Sequence, residues 1–214
     1  MYNLCQRVFY CSNKRDKSLY KLFGIAQSRT FRVLWMLEEI GESYEHIPAK
    51  PRSSEIIKFN RSGKVPVLLD GEKVLTDSSA IVSYLGDKHK KLSFQSGSIE
   101  RAYQDAMVFR IIDEVDMILW LAARHSFILP EERRVSAIKP SLKWEFERNI
   151  DRIMSEKESK FLMGDEFMLP DIILAHCGSW ARSAKFPSEN KHFNDYINRC
   201  YDRPAVRKLT ETTS

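Results

Sequence analysis

The stretch Gly63-Lys64-Val65-Pro66-Val67-Leu68, followed by Asp77-Ser78-Ser79-Ala80-Ile81, decides the fold of this chain. Proline cannot donate a hydrogen bond to a β-ladder, so Pro66 marks an edge, a bulge or a special turn in an otherwise strand-like run. The Val65-Pro66 bond is also of the kind that can be cis at modest cost. A cis bond would turn the backbone N–H and C=O of Val65 outward, where an extended, peptide-like ligand could pair with them.

The second half of this stretch begins a helix. Asp77-Ser78-Ser79 precedes helical spacing that starts at Ile81, so an acceptor, two hydroxyls and free backbone amides gather at a helix N-terminus. Such an end favours a carboxylate ligand. We therefore predict a carboxylate-binding position beside Val65. The alternative is an ordinary strand–turn–helix in which Asp77 serves only as a cap.

Strand and helix patterns alternate around this stretch. Tyr20–Ile25 has the apolar pattern of a buried strand, and Ser28–Ile40 has helical spacing that ends at Gly41. Asp70-Gly71 predicts a tight hairpin. The other elements expected here are a strand at Tyr44–Ile47, a short helix near Glu55–Asn60, strands on both sides of the hairpin and a helix at Ser78–His89. This order predicts a mixed sheet covered by helices, as in thioredoxin-like folds.

Strand patterns nearly vanish beyond a polar linker. The amphipathic segments that follow predict an all-α second domain; they are Ile99–His125, Glu132–Ser159, Met168–Ala184, Lys191–Tyr201 and Ala205–Thr210. The expected organisation is an N-terminal extension at 1–18, an α/β domain at 19–90, a linker at 91–98 and a helical domain at 99–214. Residues 1–18 could be an added edge strand, a loose tail or the product of a start site set too early.

These motifs resemble those of the cytosolic glutathione transferase family. The segments Tyr20–Ile25, Ser28–Glu39, Gly63–Leu68 and Asp77–Leu85 are similar to its thioredoxin-like half, and Gly164–Ile172 resembles its helical-domain signature. The resemblance covers about residues 19–205. It implies an α/β thioredoxin-like N-terminal domain and an all-α helical-bundle C-terminal domain. It is strongest to the bacterial-type, serine or theta-like group.

The resemblance also implies a function. Glutathione would be the co-substrate, held in an extended pose along Val65, Asp77 and Ser78. Its thiolate would attack an electrophilic, largely apolar small molecule, as in detoxification. Lys64 in front of Val65-Pro66 could meet the glycyl carboxylate, as could Arg61 or Lys58, or it could be a solvated lysine.

A hydroxyl is expected to activate the glutathione thiol. The thiolate is the nucleophile, and a hydroxyl, backbone amides and the positive end of a helix lower a thiol pKa. Ser28 falls where the serine of theta-like transferases would, four residues before Arg32. Thr30 is the second candidate, and Ser28 as a plain helix cap is the alternative. The zeta class, with Ser-Ser-Cys here, is disfavoured by Gln27-Ser28-Arg29.

Further side chains are assigned by resemblance or left open. Tyr103, Met107, Trp120 and Arg124 occupy the helices that usually wall the second-substrate pocket, although aromatic residues at helical spacing can equally be core. Arg29 and Arg32 could add positive field near the thiolate, and Arg32 could instead pair with a carboxylate of the helical domain. In the helical signature, Met168 replaces the family's Ser or Thr, so the capping box that Asp171 would complete lacks a hydroxyl.

Two other functions remain open at this point. One is a non-catalytic member of the fold that binds ligands or other proteins, which would need neither Ser28 nor the Val65-Pro66 and Asp77-Ser78 motifs. The other is a glutathione-dependent peroxidase or reductase, which generally favours a cysteine near position 28. The electrophile cannot be identified from the sequence.

Composition limits the partners. The chain has 214 residues, 43% of them hydrophobic and 29% charged, with a net charge of +5. Its basic runs carry no nucleic-acid motif, and no apolar run approaches the ~20 residues that span a bilayer. Its five histidines lack metal-ligand spacing, and no two of its four cysteines form a Cys-x-x-Cys motif. We therefore expect a cytoplasmic protein without a metal, a nucleic-acid partner or a membrane anchor. The family resemblance and the frequency of two-fold dimers predict a homodimer.

Overall fold

The computed structural model describes residues 19–213, and the extension expected at residues 1–18 lies outside them. In this part of the chain four strands form one sheet with the order β2-β1-β3-β4. They are β1 (Tyr20–Phe23), β2 (Tyr44–Ile47), β3 (Val67–Asp70) and β4 (Lys73–Thr76). β1 runs parallel to β2 and antiparallel to β3, which forms the expected hairpin with β4. This mixed sheet with its helices confirms the thioredoxin-like N-terminal prediction.

The helices of the described residues follow the sequence pattern closely in the N-terminal half and less closely beyond it. Helix α3 has the expected bounds, whereas α1 begins two residues after the predicted Ser28. The helices are α1 (Thr30–Ile40), α2 (Ser54–Phe59), α3 (Ser78–His89), α4 (Ile99–Ile111), α5 (Met117–Ala123), α6 (Lys139–Glu156), α7 (Leu169–Ser183), α8 (Lys191–Tyr201) and α9 (Pro204–Thr213). The helical C-terminal half is as predicted.

Helix α1 joins the two halves of the fold. Its residues Val33–Leu37 are all buried, and it packs against α3 on the sheet side and against α7 and α9 of the helical half. Gly41 ends the helix at φ 76°, where its N–H reaches the carbonyls of Leu37 and Glu38. A left-handed residue of this kind is usual just after a helix, and glycine adopts it without strain.

The predicted helix Ile99–His125 is interrupted by wider turns. Residues Ile112–Asp116 and Arg124–Ile128 are π-helical, so the helical path runs from Ile99 to Ile128 with α4 and α5 between these segments. Single π-turns inside helices are rare and often occur at functional sites. The first of them contains Asp116, which faces the N-terminal half. The predicted helix Glu132–Ser159 begins only at Lys139, since two short 3₁₀ turns precede it and Pro140 occupies its first turn.

Asp171 secures the start of α7 although the Ser or Thr of the capping box is absent. Its carboxylate accepts from the backbone N–H of Met168 at 2.9 Å and of Leu162 at 2.9 Å, and from the Tyr196 hydroxyl at 2.7 Å. The side chain is fully buried, and burial raises its pKa to about 6. Asp171 therefore ties the loop before α7 to α8.

We expect Asp171→Ala to lower the free energy of unfolding by about 2–3 kcal/mol, because the buried donors that it satisfies would lose their acceptor. Denaturant unfolding followed by circular dichroism measures this. Glu166→Ala is the matched control, since Glu166 is exposed in the same loop and a surface change typically costs under about 0.5 kcal/mol. Equal stability of the two variants would contradict the role given to Asp171.

No helix among residues 19–213 has both the length and the apolar character that crossing a membrane requires.

Candidate active site

The turn between β1 and α1 carries the predicted catalytic hydroxyl. Residues 26–29 form this turn, so Ser28 lies just before α1 and not inside its first turn as expected. Ser28 is partly exposed, and its backbone carbonyl accepts a hydrogen bond from the N–H of Phe31 at 3.0 Å. The hydroxyl therefore stands beside the N-terminus of α1, where the helix dipole favours an anion.

The Ser28 hydroxyl has three polar neighbours. Its oxygen lies 2.7 Å from the carbonyl oxygen of Ile25, 2.9 Å from Thr30 Oγ1 and 3.2 Å from the N–H of Thr30, which donates to it. A hydroxyl has one proton and two acceptor sites. Ser28 can therefore accept from Thr30 while its single proton is directed elsewhere.

Gly24 brings this turn against Val65. Its φ is 142°, and a Cβ built on it would lie 2.1 Å from Thr30 Oγ1 and 3.1 Å from Val65 Cβ. Only glycine leaves room there, because a side chain would overlap the Thr30 hydroxyl. The Gly24 backbone is fixed by β2, since its N–H donates to the Ile47 carbonyl at 3.1 Å and its carbonyl contacts His46 Nε2 at 2.8 Å.

The Val65-Pro66 bond is cis, as expected from the sequence. Val65 is half-buried and Pro66 is buried directly before β3, while Lys64 is exposed. The carbonyl of Lys64 accepts from the side-chain amide of Asn60 at 2.9 Å. The structure thus places Val65 against Gly24, just before the turn that carries Ser28, and leaves Lys64 on the surface.

The N-terminus of α3 carries the other two predicted binding residues. Asp77 has φ 69° and caps the helix, since its carboxylate accepts from the N–H groups of Ser79 at 2.9 Å and Ala80 at 3.1 Å. An aspartate with positive φ is a strained position of the kind that gathers at ligand sites. Ser78 is buried, and its hydroxyl accepts from Arg32 Nη1 at 3.4 Å.

Arg29 and Arg32 pair with the same carboxylate of the helical half. Arg29 Nε donates to Asp116 Oδ2 at 3.1 Å, and the Arg29 and Arg32 Nη2 groups also bind Asp116. Arg32 is 0% exposed and Asp116 is 5% exposed. The two arginines hold the pKa of Asp116 far below its usual value, although burial acts in the opposite direction. We call Arg29, Arg32 and Asp116 the arginine clasp.

Neutral side chains complete the surroundings of Arg32. Its Nε donates to His176 Nδ1 at 3.2 Å, and Nη2 lies 3.2 Å from Cys177 Sγ. Burial, together with the charge of Arg32, lowers the pKa of His176 well below its usual value. Burial raises the pKa of the Cys177 thiol to about 12. Both groups are therefore uncharged at neutral pH, and Asp116 is the anion that pairs with Arg29 and Arg32.

The four residues expected to wall a second-substrate pocket lie in different surroundings. Trp120 packs on the Arg29 guanidinium, whose carbon is 5.1 Å from its ring and 5.0 Å from that of Trp180. Arg124 is half-buried in the second π-helical segment, and Met107 packs against the core. Tyr103 is 63% exposed on α4, so residues 19–213 do not enclose it in a pocket.

Sequence reasoning did not find Asp116, His176 or Trp180. Asp116 is separated from Arg29 by 87 residues, and helical periodicity does not say which of several carboxylates turns toward another domain. The one available signal was the pair Arg29 and Arg32, three residues apart at the start of an apolar helix, which requires a buried anion. Between residues 19 and 213, no group of three or more His, Cys, Asp or Glu side chains is placed to hold a metal ion.

Several known proteins with similar sequences are glutathione S-transferases. The family model described as Glutathione S-transferase, N-terminal domain, matches residues 18–87. A zeta-class glutathione S-transferase of Euphorbia esula is 28% identical over 170 residues, which are 76% of this chain and 74% of the relative. Glutathione S-transferase 1 of Zea mays is 36% identical over 88 residues, 38% of this chain and 41% of the relative.

Solved glutathione transferases share the fold over almost the whole chain. One from Methylococcus capsulatus superposes with a TM-score of 0.80 at 23% identity, covering 91% of this chain and 98% of that one. Another from Phanerochaete chrysosporium, solved with oxidised glutathione, has a TM-score of 0.78 at 22% identity and covers 90% and 95% of the two chains. At this level of identity the likeness establishes the common fold.

Proposed function

We propose that this chain, which belongs to the glutathione S-transferase family through the N-terminal domain matched at residues 18–87, is a glutathione transferase. It joins the sulfur of glutathione to an electrophilic, largely apolar small molecule. Its share of the catalysis consists of stabilising the glutathione thiolate and positioning it beside the electrophile. The proposed reaction needs glutathione as co-substrate, and we assign no metal to it.

The observation that carries this proposal is that Gly24 lies against both Val65 and Thr30, and Thr30 is the hydrogen-bond partner of Ser28. The partly exposed Ser28 hydroxyl lies 2.9 Å from Thr30 Oγ1. A Cβ on Gly24 would lie 2.1 Å from that same Oγ1 and 3.1 Å from Cβ of Val65, whose backbone an extended peptide could pair with. In our proposal the backbone of the cysteinyl residue of glutathione pairs with the backbone of Val65. The cysteinyl sulfur accepts a hydrogen bond from the Ser28 hydroxyl.

The γ-glutamyl end of glutathione is assigned to the start of α3. Its carboxylate lies at the Ser78 N–H and the Ser78 hydroxyl, since the Asp77 carboxylate already accepts from Ser79 and Ala80, and its amine lies near the exposed Asp77. Ser78 suits a carboxylate because Arg32 donates to its oxygen at 3.4 Å, which leaves the Ser78 proton for the ligand. Lys64 is assigned to the glycyl carboxylate.

Trp120 and Arg124 are assigned to the second-substrate pocket, with Met107 on its inner wall. The exposed Tyr103 joins this pocket only if another chain covers it. The serine or theta-like class is proposed on the position of Ser28 four residues before Arg32. A zeta-class protein is among the relatives, but the Ser-Ser-Cys of that class is Gln27-Ser28-Arg29 here.

Retention on immobilised glutathione, measured together with turnover, tests the proposed function. The panel contains halogenated aromatics, epoxides and hydroperoxides. Retention with conjugation of at least one electrophile is the expected result. Retention without any turnover would favour the non-catalytic binding protein, and turnover of hydroperoxides alone would favour the peroxidase.

We propose a homodimer in solution. Tyr103 and Phe109 are 63% and 70% exposed on α4, and large apolar side chains exposed in this way are available to a partner. Light scattering at micromolar concentration should give about twice the chain mass of 25.0 kDa. Phe109→Glu should lower this mass toward that of one chain. A wild-type protein that stays at 25.0 kDa would contradict the dimer.

The domain organisation and the location are proposed on separate grounds. We place the linker at 91–98, between the end of α3 at His89 and the start of α4 at Ile99, with the two domains at 19–90 and 99–214.

The cytoplasm is the proposed location because Cys177 and Cys200 are free thiols, which persist in reducing compartments.

A further inference from the structure

The hydroxyl of Thr30 has no contact with solvent. Thr30 is 0% exposed, and its Oγ1 lies over Gly24, where a Cβ would be only 2.1 Å away. Among the residues that the structure describes, the Ser28 hydroxyl is its hydrogen-bond partner, at 2.9 Å, and either hydroxyl of this pair can supply the proton. With no exposed surface and the Ser28 hydroxyl in front of it, the Thr30 hydroxyl does not reach a bound thiol directly. This geometry decides between the two candidate hydroxyls, since Ser28 is partly exposed and Thr30 lies behind it.

We propose that Thr30 is a positioning residue that donates its hydroxyl proton to Ser28 and thereby directs the Ser28 proton toward the glutathione sulfur. This inference rests on the proposed function and names a second residue for the same site. Thr30 would act through Ser28 and never on the substrate.

The proton count supports this assignment. Ser28 Oγ can accept two hydrogen bonds, and the N–H of Thr30, at 3.2 Å, supplies one of them. If the Thr30 hydroxyl supplies the second, both acceptor sites of Ser28 are filled from the protein side. The Ser28 proton then has two remaining acceptors, the Ile25 carbonyl at 2.7 Å and the incoming sulfur. Because a thiolate is charged, it accepts a stronger hydrogen bond from Ser28 than the neutral Ile25 carbonyl does.

Donation into Ser28 also makes it a better donor. A hydroxyl that accepts hydrogen bonds is polarised, so the bond that it donates to an anion becomes stronger. Thr30 thus favours the thiolate of glutathione over the thiol without meeting it. Gly24 is part of this arrangement because any side chain there would displace the Thr30 hydroxyl.

The test compares Thr30→Val, which keeps the shape and removes the hydroxyl, with Thr30→Ser, which keeps the hydroxyl. At a pH where the bound glutathione thiol is only partly ionised, Thr30→Val should lower kcat by about threefold to tenfold, which corresponds to the loss of one neutral hydrogen bond. The KM for glutathione should change little. Its pH–rate profile should move to higher pH, and Thr30→Ser should restore most of the rate. Thermal unfolding of each variant separates this loss from misfolding.

A double-mutant cycle decides whether Thr30 acts through Ser28. In a Ser28→Ala background, Thr30→Val should cause no further loss of rate and no further shift of the pH profile. Equal losses in both backgrounds, or a Thr30→Val protein with an unchanged pH profile, would overturn the inference while leaving the Ser28 assignment intact. Full activity of Ser28→Ala would overturn both assignments. A wild-type protein that neither binds nor conjugates glutathione would overturn the proposed function itself.

Discussion

Asp116→Ala is expected to lower the free energy of unfolding by about 3–5 kcal/mol, the usual cost of removing one partner from a buried ion pair. Asp116 is the anion of the arginine clasp, and Arg32 is 0% exposed. Without the carboxylate, the Arg32 guanidinium would keep only the neutral partners Ser78, His176 and Cys177. A buried charge without a counter-charge is costly because water no longer solvates it.

Denaturant unfolding measures this loss, and the chain offers a matched control. Asp113 lies three residues earlier in the same π-helical segment but is exposed, so Asp113→Ala should change stability by less than about 0.5 kcal/mol. A loss below about 1 kcal/mol for Asp116→Ala would show that the clasp does not join the two halves of the fold.

The clasp also predicts a dependence of stability on pH. The pKa of Asp116 is lowered in the folded protein, mainly by Arg32 and Arg29 acting against burial. A carboxylate with a lowered folded pKa binds fewer protons when folded than when unfolded. Its contribution is therefore complete above the unfolded pKa, about 4, and is lost as the pH falls further. Asp116→Asn should remove this part of the acid sensitivity.

Ser28→Ala is expected to lower turnover at neutral pH by about tenfold or more, with glutathione affinity much less affected. One hydrogen bond to an anion contributes about 1.5–3 kcal/mol, which corresponds to roughly one to two pKa units of the bound thiol. The backbone N–H groups and the dipole of α1 remain, so ionisation should weaken without being abolished. Raising the pH should recover part of the rate, because base then removes the proton that Ser28 no longer helps to displace.

Ser43→Ala controls for the general effect of removing a serine hydroxyl, since Ser43 is exposed beyond the other end of α1. Its turnover should equal that of the wild type. If Ser28→Ala also kept full turnover, thiolate stabilisation would have to come from backbone amides or from arginine, and the proposed mechanism would be wrong.

Much of the N-terminal half could be predicted from local patterns. The strand Tyr44–Ile47 and the helix Ser78–His89 have the predicted bounds, because period-two alternation and an Asp77 cap are both encoded in neighbouring residues. The start of α1 was predicted two residues early. Ser28 is an acceptable helix cap by type, and its hydroxyl accepts from the N–H of Thr30, but it also bonds to the Ile25 carbonyl of the preceding turn.

The candidate site could be predicted only where its parts are close in sequence. Val65-Pro66 and Asp77-Ser78 were found from their own chemistry, and Ser28 from its spacing to Arg32. The arginine clasp joins residues that are 84 and 87 positions apart, and only the packing of α1 against the helical half brings them together. The role of Thr30 depends on its burial behind Ser28, which the sequence does not encode locally.

A crystal structure of the protein with glutathione tests the central claim most directly. We expect the sulfur within about 3.5 Å of Ser28 Oγ, the cysteinyl backbone paired with Val65, and the γ-glutamyl carboxylate at the start of α3 beside Ser78. A sulfur held by another group, with Ser28 still bonded only to Ile25 and Thr30, would contradict the account.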